Sequence, residues 1–592
     1  MQVDVIDTFE DLEGLRTDWE AAYSADPGAH FFLSWTWIFN WLRRLSYPWV
    51  VLAVRSGPGS HVAFLPLQIR AELDERTGFY NSLRMAGSYF AVYTGLLCRP
   101  EHEGNAVAAL AGQVRQMNWR SLQLEDFHVS PERRHLFLRH FHGTQFVEQK
   151  IVRGPHVTES GEDIDHDLFV HVELPSDWEH YLTVRLGRLA RRNARHYLRL
   201  IDENSEYGVT ISDSHTVGQD LETLFRFWLG RWEDRNPSYA RGLIGNCRAM
   251  LPGLFRDGRL LVLVLRKDGV PVGVHLNFVD RDKGTIHCFL AGRDPAVTKL
   301  PPGFALHMFT MRWAIANGFV SYDLGTGNYG YKAAFGSQTR LIEGISISTL
   351  SARNLGERLD RRTLGPVFSW AKRLHHEGES KLAAIGCSQI QEVDDAFEEA
   401  GELLRLIEAE TARSLAQAVE LHRSGCVGQA AQIYASVLAQ APRHIRANYM
   451  MGVACLQKRE FAAAEIYLKR AIEADPRHPA AHNNLGNVMR ATGRHEDAER
   501  CYEIAIGLSP EFAEAYNNLG VALQSLGRLG EAEAQFKKAL SLKPEFDSAI
   551  RNYEQVSKAR NDAGSPPVAF AFLGALLDPS LAWVPEIFLA AI

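Results

Sequence analysis

The residues best placed by type and spacing to do chemistry lie late in the first 350 positions, in the run DLGTGNYGYKAAFG at 323–336. Gly325, Gly327 and Gly330 predict an open turn just past a strand end, where main chain can approach a ligand closely. The carboxylate of Asp323 precedes that turn, and the phenol of Tyr331 and the amine of Lys332 follow it. Such a set can move a proton and hold an anion. A capping aspartate, a packed tyrosine and a surface lysine would read the same way. Upstream, Pro302-Gly303 opens a helical segment whose uncommitted amides and positive dipole end suit a phosphate. Gly303 and the loop 293–302 are the candidate cradle, although Pro-Pro-Gly before a helix is also an ordinary loop ending. His275 and His287, on neighbouring strands, could serve as a base, but a strand histidine is more often structural or exposed.

Three strand-like runs must position these groups: LLVLVLRKDG, VPVGVHLNFVD and GTIHCFLAG. The turns Lys267-Asp268-Gly269 and 281–284 carry the Asp and Gly that hairpins favour, so an antiparallel meander is expected. The helix GFALHMFTMRWAIANG stops at Gly318, and the strand VSYDLG follows. Before the meander come a strand, FVHVELP, and a helix from about Ser176 that continues through the basic VRLGRLARRNARHYLRL. A long amphipathic helix around LETLFRFWLGRWEDR completes this part. The first ~150 residues read as a separate mixed α and β unit. Within them Phe31, Trp35, Ile38, Trp41, Leu42 and Leu45 recur at helical spacing and read as a buried face.

Pro442, Pro476, Pro510 and Pro544 fall 34 residues apart, and Gly452, Gly486 and Gly520 keep the same register. So short a unit cannot bury its own apolar face, so neighbours must stack into a helical solenoid, which binds rather than catalyses. Ala418 stands in the first unit where the others have glycine, as suits a terminal cap. Asn484 and Asn518 repeat in register. They could line a concave surface and bond an extended peptide, or stabilise the helix pairs. The apolar tail at 566–592 is interrupted by Asp578, Pro579, Pro585 and Glu586, so it is expected to dock rather than span a membrane.

A formal net charge of -7 over 592 residues gives no general reason for nucleic-acid or anionic-membrane binding. Acidic residues occupy the N-terminus where a signal peptide would be basic, and the expected location is cytoplasmic. Seven cysteines without a CxxC pair argue against a disulfide framework and a structural zinc site, and no metal or redox cofactor is expected.

The order of the aromatic FFLSWTWIFNWL, the basic RRNARHYLRL helix, the PPGFALHMFTMRWAIANGF helix and the Asp323 run resembles the GNAT acetyltransferase fold. The variant it resembles is that of the CelD/BcsL-like acetyltransferases and the FemAB/FemX aminoacyl transferases. The 34-residue units resemble tetratricopeptide (TPR) repeats. The resemblance implies an α+β pair of tandem GNAT-like acyltransferase halves, 1–165 and 166–350, then a helical connector, 351–408. Four TPR repeats at 409–544 would form an all-α solenoid, followed by a capping helix and tail at 545–592. It implies acetyl-CoA or another acyl-CoA as donor, with no metal. Phe289, Leu290 and Ala291 would lie beside the pantetheine arm, and Arg293, Pro302 and Gly303 at the pyrophosphate. Lys332 would bind a phosphate or carboxylate, Asp323 would orient the acceptor amine or take its proton through water, and Tyr331 would protonate the leaving thiolate. Arg188, Arg192 and Arg195, in step with Arg185 and Arg199, would present guanidinium groups to coenzyme A phosphate, an anionic glycan or a tRNA acceptor stem, with Gly327 also on the substrate side. The implied activity is N-acylation of an amino group, such as that of an amino sugar on a surface or exopolysaccharide pathway, with a repeat arm that recruits a protein partner. Two alternatives remain: a FemX-like transferase using aminoacyl-tRNA, and a non-catalytic TPR scaffold with a degenerate acetyltransferase domain.

Overall fold

The computed structural model describes residues 1–562 except 58, 89, 153–155, 158–161, 204, 235 and 298. The apolar tail lies outside the described residues. The chain divides into two compact units, one of Met1–Ser369 with Gln389–Asp395, the other of Trp370–Ser388 with everything from Ala396 on.

In the first unit, strands β1 (Gln2–Ile6), β2 (Trp49–Gly57), β3 (Ser60–Asp74), β4 (Gly78–Met85), β5 (Leu97–Cys98), β6 (Ser121–Leu124) and β7 (Phe146–Lys150) precede a short ribbon, β8 (His156–Val157) and β9 (Asp163–Ile164). Then come β10 (Leu168–Glu173), β11 (Tyr207–Ile211), β12 (Leu260–Lys267), β13 (Val270–Asp280), β14 (Thr285–Arg293), β15 (Ser321–Thr326), β16 (Gln338–Leu341) and β17 (Ile345–Thr349). The first sheet runs β1-β2-β3-β4-β6-β17-β7, with β5 beside β3; the second runs β11-β12-β13-β14-β15-β10-β16. A crossover links the expected halves, 1–165 and 166–350: β17, reached from the second sheet, inserts between β6 and β7 of the first.

The predicted meander is β12-β13-β14. Asp268 and Gly269 both take positive φ, 49° and 79°, as a two-residue hairpin turn requires. The helices that matter are α1 (Phe9–Gly14), α2 (Arg16–Ala25), α3 (Trp35–Leu42), α4 (Glu103–Val114), α5 (Pro131–Leu138), α6 (Trp178–His180), α7 (Arg188–Glu203), α8 (Val217–Trp232), α9 (Pro237–Arg256), α10 (Pro302–Ala316) and α11 (Gly330–Ala333). The aromatic run is core as expected: Phe31 stacks on Phe278 of β13 at 4.9 Å, and Trp37 and Trp41 sandwich Phe90. The basic helix is not continuous from Ser176. A π-helical turn at Tyr181–Arg185 ends in extended Leu186, and α7 restarts at Arg188. Arg185 is thus off the helix of the other arginines and pairs with Glu173.

Helices α12 (Leu364–His376) and α13 (Ser380–Val393) are each divided between the two units, and the second unit continues with helix pairs α14 (Glu398–Arg423) with α15 (Val427–Gln440), α16 (Ile445–Gln457) with α17 (Phe461–Ala474), α18 (Pro479–Ala491) with α19 (His495–Leu508), and α20 (Ala513–Ser525) with α21 (Leu529–Leu542), closed by α22 (Asp547–Asp562). The repeated glycines have a steric cause. A Cβ on Gly452 would come within 2.7 Å of Leu468, and on Gly486 and Gly520 within 2.6 Å of Tyr502 and Phe536.

Candidate functional site

β14 and β15 run parallel but pair only over Thr285–His287 and Ser321–Asp323. Beyond that point β14 continues to Arg293 without the ladder, and a bulge opposite Leu276 and Asn277 leaves Phe289 as the extra residue. The two strands therefore part, and the main chain of β14 beyond Cys288 is released from β15. Phe289 and Leu290 remain largely covered, whereas Ala291 and Arg293 are exposed. Gly273 pairs with Arg293, and a Cβ on Gly273 would meet Pro302 at 2.8 Å. This glycine seats the start of α10 against the end of β14. The cradle residues Arg293, Pro302 and Gly303 are thus neighbours, and Gly303 faces open space. As first-turn amides, those of Gly303 and Phe304 have no partner inside the helix.

Where the strands part, Asp323 collects three donors. Tyr93 Oη donates to Oδ1 at 3.0 Å, the Gly325 amide to Oδ1 at 2.6 Å, and His287 Nδ1 lies 2.5 Å from Oδ2. The carboxylate accepts a hydrogen bond from Nδ1, and in that tautomer of the neutral ring the lone pair is on His287 Nε2. Among the described residues that atom is buried and has no hydrogen-bond partner. Both ring nitrogens of His30, and Nδ1 of His128 and of His171, are likewise buried without partners. The rings adjoin: His30 lies 5.5 Å from Tyr93 and 5.4 Å from His128, and Tyr93 lies 5.3 Å from His128. Burial lowers the pKa of His30 and takes that of His128 to about 4; beside Arg340, burial also lowers that of His171. These imidazoles are neutral. So many unmet polar atoms in one place cost free energy unless a polar ligand or solvent meets them.

Of the expected site residues, Asp323 stands in this cluster. Lys332 is 3% exposed, and its Nζ donates to Gly325 O at 3.3 Å and Thr326 O at 2.7 Å, so it ties the glycine bend together from within. Burial lowers its pKa to about 8. Tyr331 is 54% exposed. Gly327 has φ +87°, and a Cβ there would strike the Tyr329 ring. Arg188, Arg192 and Arg195 are exposed on α7, with Arg195 paired to Glu179 at 2.6 Å. His275 points away from His287, toward α10. His30, Tyr93, His128 and His171 escaped sequence reasoning because they are scattered singly over some 140 positions; the position of His30 just before the aromatic run is the one local signal.

In the repeats, Asn484 is buried and donates to Tyr449 Oη at 3.2 Å, and Asn518 donates to Asn483 Oδ1 at 3.0 Å. With Asn552 on Asn517 at 3.0 Å these amides join successive first helices. A groove of about 570 Å³ is lined by Arg443, His444, Ile445, Arg446, Tyr449, Met450 and His478.

The parted strands and the helix N-terminus agree with a family match: residues 188–333 fit the family described as "Acetyltransferase (GNAT) domain", and 421–488 and 478–545 fit tetratricopeptide repeat families. The protein is a mixed α/β region with a GNAT-type acetyltransferase domain, followed by an all-helical TPR region. Among solved structures it is similar to FemX, at 11% identity over 58% of this chain and 97% of that one, with TM-score 0.41. It is similar to the Sgt2 TPR domain from Aspergillus fumigatus, at 22% identity over 22% of this chain and 89% of that one, TM-score 0.20. A third is the first TPR of Spaghetti bound to an HSP90 peptide, at 21% identity over 20% and 93%, TM-score 0.20. Comparison with curated proteins gave no match.

Proposed function

We propose that the first unit transfers an acyl group, acetyl in the simplest case, from acyl-CoA to an amine, with His287 as the general base. The observation that carries this reading is the buried Nε2 of His287, without a partner among the described residues, on a ring held by Asp323 at the point where β14 and β15 part. The acyl thioester lies along β14, its carbonyl polarised by main-chain amides near Phe289, Leu290 and Ala291, and the donor's phosphates sit at Arg293, Pro302 and Gly303. The amine nitrogen attacks the acyl carbon and the C–S bond breaks. Nε2 takes the amine proton, Asp323 stabilises the imidazolium, and the thiolate is protonated by Tyr331 or solvent. His30, Tyr93, His128, His171 and Arg340 supply many hydrogen-bonding groups and little net charge, which suits a hydroxyl-rich acceptor. That lining, with the CelD/BcsL-like resemblance, supports an amino sugar of a surface polysaccharide. The repeat arm recruits a protein partner. Free cysteines throughout support a cytoplasmic location, and no helix among the described residues is long and apolar enough to cross a membrane.

The test is thiol release from acetyl-CoA with a panel of amino sugars, beside calorimetric binding of acetyl-CoA. Turnover lost in His287→Gln with donor binding retained supports the assignment. Equal turnover in that variant overturns it.

A further inference from the structure

On the other face of the second sheet, three side chains that the reaction above does not use converge. His275 of β13, Cys288 of β14 and His307 of α10 place their potential ligand atoms all within 4.8 Å of one another. We propose that they form a binding site for a borderline-soft divalent cation, with zinc as the biological candidate. This inference does not rest on the acyl-transfer reading.

The hydrogen bonds around the cluster set the ring nitrogens for ligation. Thr310 Oγ1 donates to Leu306 O at 2.7 Å, so toward His275 Nδ1, 3.2 Å away, it can only accept. The proton of His275 is therefore on Nδ1, and Nε2 presents its lone pair to Cys288 Sγ at 3.0 Å. Tyr322 Oη lies 2.7 Å from His307 Nδ1 and directs its own proton to Cys288, so toward His307 it accepts from Nδ1–H and leaves Nε2 as the ligating atom. A metal-bound imidazole has this outer hydrogen bond as a rule, because it fixes both ring orientation and tautomer. Burial keeps both imidazoles neutral and pushes the Cys288 thiol up to about 12. Binding therefore displaces the thiol proton to solvent and leaves a thiolate on the ion.

The donor set selects the ion. One thiolate with two imidazoles suits zinc or cobalt and is too soft for magnesium or calcium. A tetrahedral N–S edge is about 3.6 Å for ordinary zinc bond lengths, so seating the ion parts His275 and Cys288 by about half an ångström. Three protein ligands leave the fourth position to a solvent or small-molecule donor, the pattern of open sites. The ligands come from two strands and a helix, 13 and 19 positions apart in sequence, and so share no CxxC-like spacing.

The test uses the full chain, stripped with chelator and titrated with Co²⁺ and then Zn²⁺. The expected result is one equivalent of cobalt, a thiolate-to-cobalt absorption in the near ultraviolet, and its bleaching by zinc. Cys288→Ser abolishes the absorption, and His275→Gln or His307→Gln weakens binding by about 100-fold or more. Cys426→Ser, at an exposed thiol outside the site, leaves both unchanged. A wild-type chain with no such absorption, or an absorption that survives Cys288→Ser, overturns the proposal whatever the stability of the variants.

Discussion

Asp323 and Lys332 were both legible as candidates, yet the structure gives them different work. Asp323 orients His287, so Asp323→Asn should lower kcat by about a hundred- to ten-thousand-fold, as should His287→Gln, with little change in donor affinity by calorimetry. Lys332 holds two carbonyls of the bend and is buried. Lys332→Ala should orphan those carbonyls and destabilise the first unit by about 1–3 kcal/mol, read as a lower denaturant midpoint. Had the amine gripped a donor phosphate instead, the variant would lose acetyl-CoA affinity with its midpoint intact. The pair of measurements decides between the two roles. The histidines add a pH dependence. Burial lowers the pKa of His128 to about 4, while the unfolded chain binds its proton near 6.5. Stability should be full above pH 6.5 and fall between 6.5 and about 4, by up to about 1.4 kcal/mol per pH unit. A thermal midpoint flat across that window would contradict the burial of neutral rings.

At the scale of elements, local chemistry announced much of the second sheet: Asp268-Gly269 for the hairpin, Pro302 and Gly318 for the ends of α10, and the 34-residue register for the repeats. Long-range geometry was not announced. That β14 leaves β15 after His287 depends on pairing across an intervening helix, and nothing in GTIHCFLAG encodes it. The break at Leu186 was missed because Gly187 lies inside an otherwise uniform basic helical pattern. Gly273, one glycine within a strand-like run, sets how closely α10 approaches the sheet. Gly273→Ala would push on Pro302, at a cost of about 1–3 kcal/mol if the core cannot give. It should raise the Michaelis constant for acyl-CoA more than it lowers kcat, since the shift is at the helix N-terminus and away from His287. Gly303→Ala, in open space, should do neither by sterics.

At the scale of the whole molecule, the two halves of the first unit cannot be treated as beads on a string. Tyr93, from the first half, completes the hydrogen bonding of Asp323 in the second. The second half returns β17 to fill the place between β6 and β7. The chain after β17 is bound as well. Asn81 of β4, fully buried, donates its amide to Asn354 Oδ1 at 2.9 Å and its Nδ2 to Thr363 Oγ1 at 2.8 Å, and accepts from the Asp360 amide at 2.6 Å. Residues 351–369 are thus part of the first unit's core, although their charged composition suggested a connector. A chain cut after residue 350 would strand three hydrogen-bonding groups of Asn81 in the interior, each unmet group costing about 1–3 kcal/mol. It should melt well below a chain cut after residue 395, followed by circular dichroism, or aggregate on expression. Equal melting of the two would mean that the segment from Asn354 to Thr363 contributes nothing to the fold, and that the asparagine at its centre is met by water.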